Sequence, residues 1–172
     1  MSKIFCFGDS NGYGSDLLPG GKPFVHWIAN AKGLEYSNYA EPGASLGIVQ
    51  HRLVVRLGEI TKDDFVIVVV PPDARWYDES EEDGFFSFAN YDTVEYYEKF
   101  LGKKTLEWFE YHHALFTYTI QQLLNGIGCR YVMFLTAGRL GGQHYNLPID
   151  YDKFLSDEDM LNFLSREKKY LG

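Results

Sequence analysis

Phe65-Val66-Ile67-Val68-Val69-Val70 decides the fold. An unbroken apolar run of this length fits a central strand of a parallel sheet covered on both faces. Pro71-Pro72 ends it abruptly. Upstream, residues 3–7 form a second short apolar run that stops at Gly8, and Glu35 to Ala40 reads as another short strand. Downstream, Tyr131 to Leu135 predicts a fourth strand and residues 144–150 a weak fifth. Helical patterns fill the gaps. Pro23 opens one that stops at Gly33, a natural C-cap. Ser45 caps another, with Leu46, Val49, Leu53 and Leu57 on one face. Residues 104–125 carry the longest stripe, which includes Phe109, His113, Phe116 and Ile120. Residues 156–169 predict a last helix, with Ser156 as its cap.

Strands that alternate with helices predict an α/β fold: a three-layer sandwich around a central parallel sheet of about five strands, flavodoxin-like in outline. The chain of 172 residues reads as a single domain, 1–172. Residues 73–103 break the alternation as an insertion. It interleaves aromatics such as Trp76, Tyr77, Phe85, Phe86 and Phe88 with Glu79, Glu81, Glu82 and Asp83. A packed excursion with a solvated acidic rim, a lid offering stacking faces to a ligand, and an oligomer contact are the three readings of that segment.

Composition removes several function classes. Acidic residues outnumber basic ones 24 to 16, for a formal net charge of −8, and no basic run stands out, so nucleic acid and anionic membrane are not expected partners. No apolar run approaches the ~18 residues of a membrane span. Met1 to Gly8 lacks the long apolar core and small-residue cleavage site of a secretory signal, so the expected location is cytoplasmic. Cys6 and Cys129, each in or beside an apolar run, read as buried free thiols. No cysteine or histidine cluster has metal-ligand spacing, and no cofactor is expected.

In open α/β sheets ligands bind beyond the carboxyl ends of the strands. The residues to collect are therefore Gly8 to Asn11, Glu41 to Ala44, Pro71 to Arg75, and Thr136 to His144. A serine at one strand end and a glycine amide at the next can supply a nucleophile and an oxyanion donor.

Phe7-Gly8-Asp9-Ser10 resembles the first block of the SGNH, or GDSL-type, serine hydrolases. Asn38-Tyr39-Ala40-Glu41-Pro42-Gly43 resembles their second block. The resemblance covers roughly residues 3–75. It implies that Ser10 is the nucleophile and that the Gly43 amide donates to the oxyanion. The short SGNH-like proteins of tailed phages, which carry a similar Pro-Asp-x-Arg variant, are the members this chain resembles most, and that resemblance extends the expected location to host cytoplasm or virion.

Two departures stand beside it. The family's third block places an asparagine donor where this chain has Pro72, and losing one such donor commonly costs ~10²–10³ in rate. Asn11 and Arg75 are the candidate replacements. With Asp73 and Trp76 they form the expected substrate-binding set. The second departure is the Asp-x-x-His block, which the chain lacks. Three explanations stay open: the natural chain continues past Gly172, the base was lost, or another histidine serves. His144, on the loop after the fourth strand, is the candidate base. His113 reads as a core or helix-surface histidine, His112 as solvated, His26 as structural, and His51 as too far along its helix.

The leading expectation is thus a serine ester hydrolase acting on an acyl or O-acetyl ester of a carbohydrate or lipid, feebly active in the 172-residue form. The alternatives are a non-catalytic binding or virion-associated protein on the same fold, and a flavodoxin-like phosphate or nucleotide binder using the Ser10 to Ser15 loop. The hydrolase reading requires Ser10 and Gly43 to be neighbours at one sheet edge.

Overall fold

The computed structural model describes residues 2–14, 21–72, 75–76, 86–87, 106–136 and 145–155. Four parallel strands make the main sheet: β1 (Lys3–Phe7), β2 (Glu35–Asn38), β3 (Phe65–Val70) and β6 (Arg130–Leu135), in the order β2-β1-β3-β6. The helices between them are α1 (Ser10–Tyr13), α2 (Phe24–Lys32), α3 (Leu46–Arg56) and α4 (Leu106–Ile127). Two short strands, β4 (Arg75–Trp76) and β5 (Phe86–Ser87), pair antiparallel as a separate ribbon.

β3 is central because it can be. Val66 to Val70 are all buried, and the strand pairs with β1 on one side and β6 on the other. Alternation across the pleat divides its side chains between two cores. Val66, Val68 and Val70 join Phe5, Phe7, Met133 and Leu135 under α3 and α4. Ile67 and Val69 join Ile4 and Cys6 under Val25 and Ala29 of α2. Helices thus cover both faces, as the apolar run requires, and the architecture is a three-layer α/β sandwich.

The caps agree with the sequence. Ser45 accepts the amide of Ile48 at 3.4 Å at the head of α3. Gly33 ends α2 with φ +63°, donating to the carbonyls of Ala29 and Asn30. Pro23 sits one place earlier than its residue type suggests, as the N-cap of α2 rather than its first residue. Cys6 and Cys129 are buried free thiols. Burial, helped by the charge of Asp9, pushes the Cys6 thiol up to about 12.

The fifth strand is the clear correction. Residues 145–150 form a turn and irregular chain. Asn146 takes φ +52° and Pro148 has no amide hydrogen to give a ladder, so the segment cannot pair as a strand. Among the described residues the sheet has four strands, and beyond β6 its next position holds one parallel bridge, Met133 to Phe154, with the Leu155 amide 2.9 Å from the Met133 carbonyl. Gln121 of α4 holds that return segment: its side-chain amide donates to the Asp150 carbonyl and accepts from the Asp150 amide, both at 2.8 Å. The helix expected over 156–169 lies outside the described residues. Of the 73–103 insertion, the β4–β5 ribbon is described, and β4 runs beside α3.

Candidate functional site

Strand order reverses direction between β1 and β3, so the carboxyl ends of these two strands flank a topological switch point. The chain leaves β1 through Gly8 and turns at once into α1. Gly8 is required there: a Cβ would stand 2.4 Å from the Cβ of Val69 and 2.9 Å from its carbonyl oxygen. Gly12, one turn on, is pressed against Ala40 and Val69 in the same way, with a Cβ reaching within 2.9 Å of the Ala40 Cβ. The Gly8-Asp9-Ser10-Asn11-Gly12 turn is therefore packed directly onto the sheet edge.

Asp9 fixes the turn. Its carboxylate is wholly buried and caps α1, accepting the amide of Asn11 at 3.0 Å. The Asn11 side-chain amide reaches the same carboxylate at 3.3 and 3.4 Å. From the far side the Thr136 hydroxyl, at the end of β6, lies 3.4 Å from Asp9 Oδ2 and 3.2 Å from the Val70 carbonyl. Burying a carboxylate is costly unless donors surround it, and these donors come from two separated parts of the chain. They lock the turn that begins α1, on which Ser10 is the first residue, half-exposed.

The loop after β2 closes the edge from the other side. Asn38 donates to the Gly12 carbonyl at 3.0 Å and accepts the Ala40 amide at 3.1 Å, stapling β2 to α1. The Glu41 amide donates to the Gly8 carbonyl at 2.9 Å. Ser10 and Gly43 each stand two residues beyond that bond. Glu41-Pro42-Gly43-Ala44 is a turn closed by the Ala44 amide on the Glu41 carbonyl at 3.2 Å. Gly43 has φ +79°, the left-handed value that the third residue of a type II turn needs, and it is exposed. Arg52 of α3 pairs with Glu41 and reaches the Tyr39 carbonyl, holding this turn against the helix.

At the end of β3, Pro71 and Pro72 carry no amide hydrogen, so this position offers no backbone donor to an oxyanion. The Pro71 carbonyl accepts from Nε2 of buried His113 at 2.8 Å. His113 is thus a core histidine that ties α4 to the site edge. His112 differs from its expected solvated state. Its ring stacks on Trp108 with centroids 3.8 Å apart, and Nδ1 lies 2.7 Å from the Trp108 carbonyl. His26 packs edge-on against Trp27 and Tyr36 and meets the Asn30 side chain at 3.0 Å. His51 is exposed on α3. Among the described residues no histidine hydrogen-bonds the Ser10 hydroxyl.

Of the expected site, the structure gathers Ser10, Asn11 and the Gly43 turn at one edge and directs the Asn11 amide to Asp9. Arg75 and Trp76 form the backbone of β4. Asp73 and His144 lie outside the described residues. Asn38, the last residue of β2, and Thr136, directly after β6, hold the site through side-chain hydrogen bonds, and the sequence marks both as strand-end residues without naming their partners. Among the described residues no group of three or more histidine, cysteine, aspartate or glutamate side chains is placed to hold a metal ion, and no helix is long and apolar enough to cross a membrane.

No protein-family model matches the chain, and no curated protein matches it in sequence. Among solved structures, an acetyl xylan esterase aligns over 76% of this chain at 15% identity with a TM-score of 0.39. The chain spans 56% of that protein's length. The overlap is too loose to carry residues from one molecule to the other.

Proposed function

We propose that the protein is an SGNH-type ester hydrolase with Ser10 as nucleophile and the Ser10 and Gly43 amides as oxyanion donors. The observation that carries the proposal is the Ser10 turn. A half-exposed serine heads a short helix at the switch point, clamped by a buried carboxylate beneath it and joined through Gly8 and Glu41 to a glycine turn. A serine on a clamped backbone turn, joined by a hydrogen bond to a glycine turn, suits attack on an ester carbonyl and stabilisation of the resulting oxyanion. Ser10 Oγ adds to the carbonyl carbon, its proton passes to a base, and the base returns it to the leaving alcohol. His144 is proposed as that base. Asp73, Arg75 and Trp76 are proposed to contact the substrate, an acyl or O-acetyl ester of a carbohydrate or lipid.

A second reading is favoured by a specific observation. His26, His112 and His113 are each engaged elsewhere. A non-catalytic binding protein on this fold would need no base at Ser10.

The deciding experiment is labelling with a fluorophosphonate, alongside hydrolysis of p-nitrophenyl acetate. The hydrolase reading expects labelling at Ser10 that is absent in Ser10→Ala and slowed in His144→Ala. A chain that is never labelled supports the binding reading. Undiminished hydrolysis in Ser10→Ala overturns the mechanism, and undiminished hydrolysis in His144→Ala removes His144 as base.

A further inference from the structure

The opposite edge of the sheet, at the amino ends of the strands, holds a cavity of about 770 Å³ lined by Lys3, Phe5, Glu59, Lys62, Asp64 and Arg130, among others. That volume is in the range of small-molecule sites. The lining brings cations from three places in the chain: Lys3 on β1, Lys62 in the loop before β3, and Arg130 at the start of β6. Sheet register explains the convergence. Ile4 pairs with Phe65, and Phe65 with Arg130, so Lys3 and Arg130 flank the entrance of β3 about two strand spacings, or ~10 Å, apart.

The charges in this lining are not equally available. Asp64 is 4% exposed, and both its oxygens are used. Oδ1 accepts the Lys3 amide at 2.7 Å, and Oδ2 accepts the amide and hydroxyl of Thr61, both at 2.8 Å. Glu59 is held by Arg56 at 2.7 Å and by the Tyr39 hydroxyl at 2.8 Å. Asp63 is exposed and is the remaining carboxylate of the lining. Against it stand Lys3, Lys62 and Arg130, none ion-paired among the described residues. The Lys3 ammonium is held over the Phe5 ring, 5.1 Å from its centroid.

We infer that this cavity binds a small phosphorylated anion. Three cationic heads around a floor fixed by the Asp64 hydrogen bonds match a compact dianion whose oxygens point in several directions. Asp63 accepts from a hydroxyl of the ligand. Because the chain carries a net charge of −8, anions are repelled by the molecule as a whole. A cluster of three cations on an otherwise acidic chain therefore makes this edge the place where an anion is held. The site is independent of Ser10, which lies at the carboxyl edge.

The test is titration of the ¹⁵N-labelled protein with inorganic phosphate, and separately with phenyl phosphate, against sodium chloride at matched ionic strength. The expected result is saturable shifts of the Thr61 to Asp64 and Arg130 amides. The affinity should fall at least tenfold in the double variant Lys62→Gln with Arg130→Gln and stay unchanged in Lys22→Gln and Ser10→Ala. Tighter binding of phenyl phosphate assigns a phosphate ester, and equal binding assigns free phosphate. Shifts that chloride reproduces, or affinity unchanged in the double variant, overturn the inference. Loss of binding in Lys22→Gln would do the same, since it would reveal a diffuse charge effect.

Discussion

Nε2 of His113 stands 2.8 Å from the carbonyl oxygen of Pro71. A carbonyl only accepts, so this nitrogen carries a hydrogen and has no lone pair to offer a serine proton. The bond joins the longest helix to the residue that ends the central strand. His113 is therefore a fastener of the site edge through Nε2.

His113→Phe keeps a ring in the same space and removes the donor. It should destabilise the protein by about 1–3 kcal/mol, the cost of leaving a buried carbonyl unpaired. Urea unfolding of both proteins measures it. An unchanged midpoint would show that the bond contributes nothing.

Gly8→Ala forces a methyl group to within 2.4 Å of Val69. The backbone of the Ser10 turn must shift, at an expected cost of about 1–3 kcal/mol. Gly58→Ala is the control, because nothing lies within 4 Å of a Cβ there, and it should change stability by no more than about 0.5 kcal/mol. Thermal unfolding of the two variants distinguishes local packing from a general effect of losing glycine.

Asp64 titrates below the ordinary aspartate value. Burial works to raise it, but hydrogen bonds from the Thr61 amide and hydroxyl and the Lys3 amide outweigh burial and stabilise the charged form. A carboxyl with a depressed folded value contributes stability above its unfolded value and loses it as pH falls through the folded one. Acid should therefore destabilise the wild type more steeply than Asp64→Asn. Stability curves measured from neutral pH downward should converge at the acid end, and parallel curves would refute the role given to Asp64.

Hydrolysis by the 172-residue chain is expected to be slow. The end of β3 has prolines, which offer no donor to an oxyanion. Turnover of p-nitrophenyl acetate should fall short of that of a serine hydrolase with a full oxyanion hole by the roughly 10²–10³-fold that one missing donor costs. Steady-state rates with and without enzyme check this, and brisk turnover would show that another group supplies the donor.

The strand and helix order was legible in the sequence because it depends on local pattern. Phe65 to Val70 fitted a covered strand, and Ser45, Gly33 and the stripe through Phe109 and Ile120 marked their helices through capping and periodicity. The candidate nucleophile turn was legible for a related reason: Gly8, Asp9 and Ser10 follow a strand directly, and strand ends in such sheets gather function. The mispredicted fifth strand shows the limit of pattern. Residues 145–150 have no strong periodicity, and their path is set by Gln121, far away in the chain, and by the left-handed Asn146. Tertiary structure alone decided what holds Ser10. Asp9 meets Thr136 across 127 positions, Asn38 meets Gly12 across 26, and His113 meets Pro71 across 42. A side chain's type announces that it can donate or accept, but its partner is chosen by which strand ends the sheet order brings together, and that order is a property of the whole packed chain.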